Sequence, residues 1–131
     1  MPKPQTIKDL KIWSKSMDLV VSAYRVSTIL PPTEKFGLVS QIRRAATAVP
    51  ANIAEGFGRW SPRDFWRFLT IAGGSLRELE THLCVAERLD YIQPVRLKPV
   101  LDELEEVLKM IYAMIAKIRS TQTAKERQRV S

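Results

Sequence analysis

Between Leu97 and Ile118 the chain places a leucine or isoleucine at alternating steps of four and three residues: Leu97, Leu101, Leu104, Leu108, Ile111, Ile115 and Ile118. Only a helix turns that spacing into one continuous apolar face. Val100, Val107 and Met114 add a flanking row at seven-residue spacing. The face is therefore wider than a two-stranded seam requires. It has room for helices of the same chain and for a neighbouring subunit.

Three further segments carry helical signals. From about Lys8 to Ile29, Trp13, Met17, Val20 and Tyr24 repeat at helical spacing, with Lys11, Lys15, Asp18, Ser22 and Arg25 opposite. This predicts an amphipathic helix ended by Pro31-Pro32. A second helix is predicted from Thr33 as N-cap, with Glu34 in its first turn, to a glycine break at Gly56 and Gly58. Pro50 inside it predicts a kink near Ala46–Pro50, or two shorter helices. The third helix starts with Ser61 as N-cap, Pro62 at the first helical position and Asp64 at the third. Phe65, Phe68 or Leu69, Ala72, Leu76, Leu79, Leu83 and Ala86 form its apolar face, and Asp90-Tyr91 and Pro94 mark its exit. Each glycine of Gly73-Gly74 costs about 1 kcal/mol relative to alanine within a helix. Keeping both predicts a close backbone approach by a neighbour. No strand pattern and no internal repeat occur. The expected fold is all-α, an antiparallel up-and-down four-helix bundle with helices about 30 Å long.

The 131 residues fit one domain. The net charge is +7, and its distribution is uneven. From Lys117 onward there are five bases (Lys117, Arg119, Lys125, Arg127, Arg129) and one acid, Glu126. Apolar periodicity stops after Ile118. Residues 1–119 are therefore expected to form the bundle, and residues 120–131 a frayed or disordered basic tail. Such a tail can hold nucleic acid or simply favour solubility. No run of about 18 apolar residues exists, so no membrane span is expected. Met1-Pro2-Lys3-Pro4 has no apolar signal core, and Cys84 is the sole cysteine, which leaves no disulfide framework. These features suit a cytoplasmic protein.

Chemistry-bearing constellations are sparse. Carboxylate di-metal sites in bundles need Glu-x-x-His on inward faces, but Leu79 stands three residues before His82, the only histidine. Glu78 with Glu80, and His82 with Cys84, are two apart and diverge on a helix. Cys84 and Ser75 lack a nearby base. Gly56-Phe57-Gly58 follows no strand, so it is not a dinucleotide fingerprint. Asp102, Glu103, Glu105 and Glu106 lie between seam leucines as a solvated face. No metal, cofactor or catalytic residue is expected.

Two polar patterns remain. Gln41, Arg44, Ala48, Asn52 and Glu55 share one helix face, and Ser75, Glu78 and His82 have matching spacing. An Arg44–Glu78 pair with Asn52 and Ser75 nearby would form a register-setting polar network, favoured over a ligand site. The second pattern interleaves arginines with aromatics from Phe57 to Arg67. It suits phosphate contact with base stacking, or a protein interface. Trp60 and Trp66 cannot both share the face of Phe65, so Trp60, Trp66 and Arg67 are candidate interface residues, with a subunit interface favoured.

The run Glu34-x-x-Gly37-Leu38-x-x-Gln41-Ile42-Arg43-Arg44-Ala45-Ala46, then Val49-Pro50-Ala51-Asn52-Ile53-Ala54-Glu55-Gly56, then Ser75-Leu76-x-Glu78-Leu79-Glu80, resembles the four helix bundle protein family, also called 23S rRNA intervening-sequence or S23 proteins. Asp9-Leu10-Lys11-Ile12-Trp13 is similar too, so the resemblance covers roughly residues 7 to 118. Ala48 departs from the family's usual serine. The resemblance implies a left-handed four-helix bundle assembled as a ring-shaped homopentamer, without established enzymatic activity. A more distant similarity is to the accessory variability protein of diversity-generating retroelements, a basic pentamer that binds nucleic acid and a reverse transcriptase.

The expectation is a non-enzymatic pentamer that binds nucleic acid, RNA favoured, through basic surface charge. Arg43, Arg59, Arg63, Lys117 and Arg119 are the candidate phosphate contacts. The alternative is an assembly scaffold for a protein partner such as a reverse transcriptase.

Overall fold

The computed structural model describes residues 6–130, which form four α-helices and no strand. Helix α1 spans Lys11–Ser27, α2 Leu38–Phe57, α3 Pro62–Arg88 and α4 Pro94–Val130. Short 3-10 turns, Ile7–Asp9 and Pro32–Glu34, precede α1 and α2. Residues 1–5 and 131 lie outside the described residues, and so do the outer ends of the two spans predicted at 1–119 and 120–131.

The four helices surround one apolar core. Leu19, Ile42, Ile53, Leu69, Leu76, Leu79, Leu83, Leu97, Leu104, Leu108 and Ile111 are its fully buried side chains. Each such side chain contributes about 1.5–3 kcal/mol by leaving water. In the heptad seam of α4, Leu97, Leu104, Leu108 and Ile111 are buried; Leu101, Ile115 and Ile118, with Met114 beside them, pack partly against the core.

Beyond Ile118 the chain does not fray as predicted: α4 runs on as helix to Val130. Alanine, lysine, arginine and glutamine are strong helix formers, and no glycine or proline follows Pro99. Apart from half-buried Gln122, residues 120–129 are exposed. This last part of α4 is held by helix continuity rather than by packing.

Helix α1 is rotated from its predicted orientation. Ile12, Ser16, Leu19, Ala23 and Val26 face the core, while Met17 and Tyr24 are exposed and Trp13 and Val20 half-buried. Two apolar rows compete on this helix. The row with small Ser16 and Ala23 allows the closer approach, and the Ser16 hydroxyl donates to the Trp13 carbonyl at 2.7 Å, so it can be buried.

Helix α2 also starts later than predicted. Thr33 lies inside the 3-10 turn, and Gly37 is the N-cap. Glu34 still serves the helix start: its Oε1 accepts from the Leu38 N–H at 3.2 Å, and its Oε2 accepts from the Tyr91 hydroxyl at 3.1 Å. One carboxylate thus caps α2 and holds the α3–α4 loop. That bond raises the Tyr91 pKa, because the neutral phenol is the donor. Pro50 does not split α2, which is continuous through it. The start of α3 is as read from sequence, with Ser61 Oγ accepting from the Asp64 N–H at 3.3 Å.

The close approach lies at a different glycine from the one predicted. A Cβ on Gly73 would meet Tyr112 and Leu108 at 3.8 and 3.9 Å, ordinary contact distances, and one on Gly74 would meet nothing within 4 Å. A Cβ on Gly56 would fall 2.7 Å from Phe68 Cβ, 3.1 Å from Phe65 Cδ1 and 3.3 Å from Phe65 Cα. The end of α2 therefore lies directly on the start of α3. Gly74→Ala is expected to raise stability by about 0.5–1 kcal/mol, since it gains helix propensity in open space. A urea titration with unchanged slope and a higher midpoint checks this.

Polar ties join the remaining helix pairs. Ser22 Oγ shares its hydrogen between Oε1 and Oε2 of Glu103, both at 2.9 Å, and Lys15 pairs with Glu106 at 3.4 Å, linking α1 to α4. Arg77 lies 3.9 Å from Glu105, linking α3 to α4. Glu103 is half-buried and bonded, so the acidic face of α4 is not simply solvated.

Candidate functional site

Consecutive helix positions turn by 100°, and this decides the fate of the Arg43-Arg44 pair. Arg43 turns toward α1: its Nε donates to Ser27 Oγ at 3.0 Å and its guanidinium lies 4.7 Å over the Tyr24 ring. The Ser27 hydroxyl in turn donates to the Tyr24 carbonyl at 2.7 Å. Arg43 is thus a half-buried tie between α1 and α2, not the phosphate contact expected from sequence.

Arg44 points away from the core and is exposed, and the expected Arg44–Glu78 pair does not form. Glu78 instead faces His82 of its own helix at 3.4 Å. Asn52 Nδ2 donates to the Ala48 carbonyl at 2.8 Å, and Glu55 pairs with Arg59 at 2.6 Å. Among the described residues the side chains of Gln41, Arg44 and Ser75 make no hydrogen bond or ion pair. The stripe flanks the buried face of α2, where Ile42, Ala45, Ala46, Val49, Pro50, Ile53 and Gly56 pack. Asn52 and Glu55 find their partners locally, so among the described residues no hydrogen-bonded network crosses between α2 and α3 along this stripe.

The arginine–aromatic pattern does come together, at one end of the bundle. The Arg59 and Arg67 guanidinium groups both lie against the Phe68 ring, at 5.4 and 5.0 Å. Helix α4 reaches the same end, where Arg119 lies 5.0 Å over the Trp66 ring. Such contacts are worth about 0.5–1 kcal/mol each at exposed sites. Three elements thereby bring Arg59, Arg67 and Arg119 to one end of the bundle, with Arg63 one helical turn before Arg67 and Lys117 two residues before Arg119, on another side of α4. Glu55 offsets Arg59, and Asp64 lies 3.8 Å from Arg67. Arg63 and Lys117 are exposed and make no ion pair among the described residues. Arg63 also sits in the first turn of α3, the positive end of the helix dipole, where a cation is unfavourable and an anion favourable.

Trp60 and Trp66 separate in the structure. Trp66 is half-buried under Arg119, whereas Trp60 is 95% exposed in the α2–α3 turn. The residue in left-handed conformation there is Trp60 itself, at φ 62°, and not a glycine; Gly58 has φ −75°. Sequence reasoning missed Phe68 as the ring shared by two arginines. The signal was present, since Arg59, Arg63 and Arg67 recur every four residues just before it.

A polar cleft of about 400 Å³ between α1 and α4 is lined by Lys15, Asp18, Ser22, Arg25, Glu103 and Glu106, in which Lys15 pairs with Glu106 and Glu103 accepts from Ser22. Burial pushes the Cys84 thiol up from its ordinary pKa, and the charges of Glu80 and Glu87 add to this, so the reactive thiolate is disfavoured. Among the described residues no group of three or more His, Cys, Asp or Glu side chains could hold a metal ion. No described helix is long and apolar enough to cross a membrane.

Comparisons with known proteins agree with this architecture. The sequence model of the 23S rRNA-intervening sequence protein family matches residues 8–113. No curated protein sequence matches the chain. A crystal structure of a protein of unknown function from the S23 ribosomal protein family of Bacteroides thetaiotaomicron is similar at 27% identity, with a TM-score of 0.74, covering 79% of this chain and 97% of the other. The matched region contains α1, α2, α3, the α2–α3 turn and the buried part of the α4 seam, and the chain belongs to the 23S rRNA-intervening sequence protein family.

Proposed function

We propose that this protein is a non-enzymatic bundle that binds nucleic acid, RNA favoured, through the basic end formed by the α2–α3 turn and the last turns of α4. The observation that carries this is the convergence of Arg59 and Arg67 on Phe68 and of Arg119 on Trp66, with exposed Arg63 at the N-terminus of the same helix α3 and Lys117 close in sequence. Glu55 and Asp64 offset Arg59 and Arg67, and the remaining positive charge at this end favours an anionic ligand. The exposed end of α4 extends the charge with Lys125, Arg127 and Arg129. The family name refers to 23S rRNA intervening sequences, so RNA is the first ligand to test.

The chain is further proposed to form an antiparallel up-and-down bundle that assembles as a homopentamer. The contacts of Trp66 with Arg119 and of Arg77 with Glu105 support helices of opposite direction. A row along α3 and its C-cap, with Ile71, Glu78, Val85 and Leu89 exposed and Ser75 and His82 half-buried, repeats at steps of four and three and offers a seam for another subunit. The same row favours a second reading, a scaffold for a protein partner such as a reverse transcriptase.

Two measurements test these proposals. Light scattering should report five copies, and a monodisperse monomer would end the pentamer proposal. A salt titration of RNA and DNA binding should show affinity falling by roughly 0.7–0.9 log units per phosphate contact per decade of salt. No binding at low salt would leave the scaffold in its place.

A further inference from the structure

Trp60 has no packing role to account for it. Its side chain is 95% exposed, and its backbone is at φ 62°. That region disfavours bulky side chains. The other described non-glycine residue there, Asp90, is of a type that tolerates it. A glycine in place of Trp60 would relieve the strain, yet the chain keeps a flat indole in water. Outliers of this kind point from structure to function.

Its surroundings narrow the function. Arg59 precedes it and is bonded to Glu55, while Arg63, three residues on, is exposed. Trp66 already has a guanidinium on one face, and Phe57 and Phe65 pack edge to face at 6.2 Å. Trp60 is therefore the ring at this end whose faces are both open.

We propose that Trp60 is a stacking platform for an unpaired base, with Arg63 holding a neighbouring phosphate, so that the basic end takes single-stranded nucleic acid in preference to duplex. This rests on the nucleic-acid function proposed above and specifies its ligand. A duplex keeps its base faces within its own stack and offers this end only phosphates and groove edges. The deep, narrow major groove of an RNA duplex also excludes side chains. An unpaired base presents a π-face that any indole can stack on, whatever the sequence. RNA and DNA share this chemistry.

The test measures binding of the full chain to a short single-stranded RNA, its DNA counterpart and the duplex of the same sequence. Trp60→Ala is expected to lower affinity for both single strands about tenfold or more while leaving duplex affinity and the salt slope unchanged. Trp60→Phe should retain most of the single-strand affinity, since a phenyl ring still stacks, but lose Trp60's share of the fluorescence quenching expected when wild type binds. Loss confined to RNA would assign the site to RNA; equal loss on RNA and DNA would assign it to either single strand. Unchanged single-strand affinity in Trp60→Ala, or equal losses on single strand and duplex, would overturn the stacking role while electrostatic binding stands. A shift in oligomeric state with no change in binding would make Trp60 a subunit contact and overturn it too. Failure of the wild type to bind any of the three at low salt would remove the nucleic-acid function itself.

Discussion

Replacing Gly56 with alanine is expected to destabilise the protein by about 1–3 kcal/mol, although the change adds a single methyl group. The new Cβ would sit 2.7 Å from Phe68 Cβ and 3.3 Å from Phe65 Cα. Neither atom is the far end of a flexible side chain: one is fixed by the α3 backbone and the other belongs to it. Relief requires α2 and α3 to separate where their packing is closest. Helix propensity alone would favour the alanine, so the sign of the effect isolates the steric term. The midpoint of urea unfolding should fall with an unchanged slope. Gly74→Ala, expected to move the other way, is the internal control. The separation should also loosen the Arg59–Phe68–Arg67 arrangement, because Phe68 takes part in both contacts.

Neutralising the basic end is expected to have the largest effect on binding. Replacing Arg63, Arg67, Lys117 and Arg119 together with glutamine removes four candidate phosphate contacts. At about 0.1 M salt the electrostatic contribution of four contacts corresponds to roughly 10²- to 10³-fold in affinity. All four side chains are exposed, so the fold should survive, with about 0.5–1 kcal/mol lost where Arg119 leaves the Trp66 ring and a similar amount where Arg67 leaves Phe68. Arg43→Gln is the complementary control. It should lower stability by breaking the bond to Ser27 and the contact with Tyr24, and leave nucleic-acid affinity unchanged.

The helices were legible in the sequence because their signals are local. Ser61-Pro62 gave the start of α3, and the steps of four and three in α4 gave its buried face as far as Ile111. Helix α1 was misread because it carries two apolar rows, and choosing between them needs the shape of its neighbours. The start of α2 was misread because Pro31 and Pro32 divert Thr33 and Glu34 into a 3-10 turn, and Glu34 then caps the helix from outside. The end of α4 was misread because periodicity reports burial, and an exposed helix of good formers has none.

The site was legible in composition and not in geometry. Arginine interleaved with aromatics marked the α2–α3 turn, but the meeting of Arg119 with Trp66 depends on how α4 returns. The Arg43-Arg44 pair shows the limit most clearly. Spacing put Arg44 on a stripe facing Glu78, yet that stripe lies outside the helix contact, and a single helical step gives Arg43 the structural tie. Gly56 was noticed as a helix end, and its Cβ-free contact with Phe68 became visible only once the two helices were placed.

The most direct measurement is the salt dependence of RNA affinity for wild type and for the Arg63, Arg67, Lys117, Arg119 to glutamine variant, determined side by side. A steep wild-type slope that becomes shallower by about 0.7 per lost contact, close to three in all, is the expected result. Two lines of equal slope would place the phosphate contacts elsewhere on the molecule and contradict the assignment of the basic end.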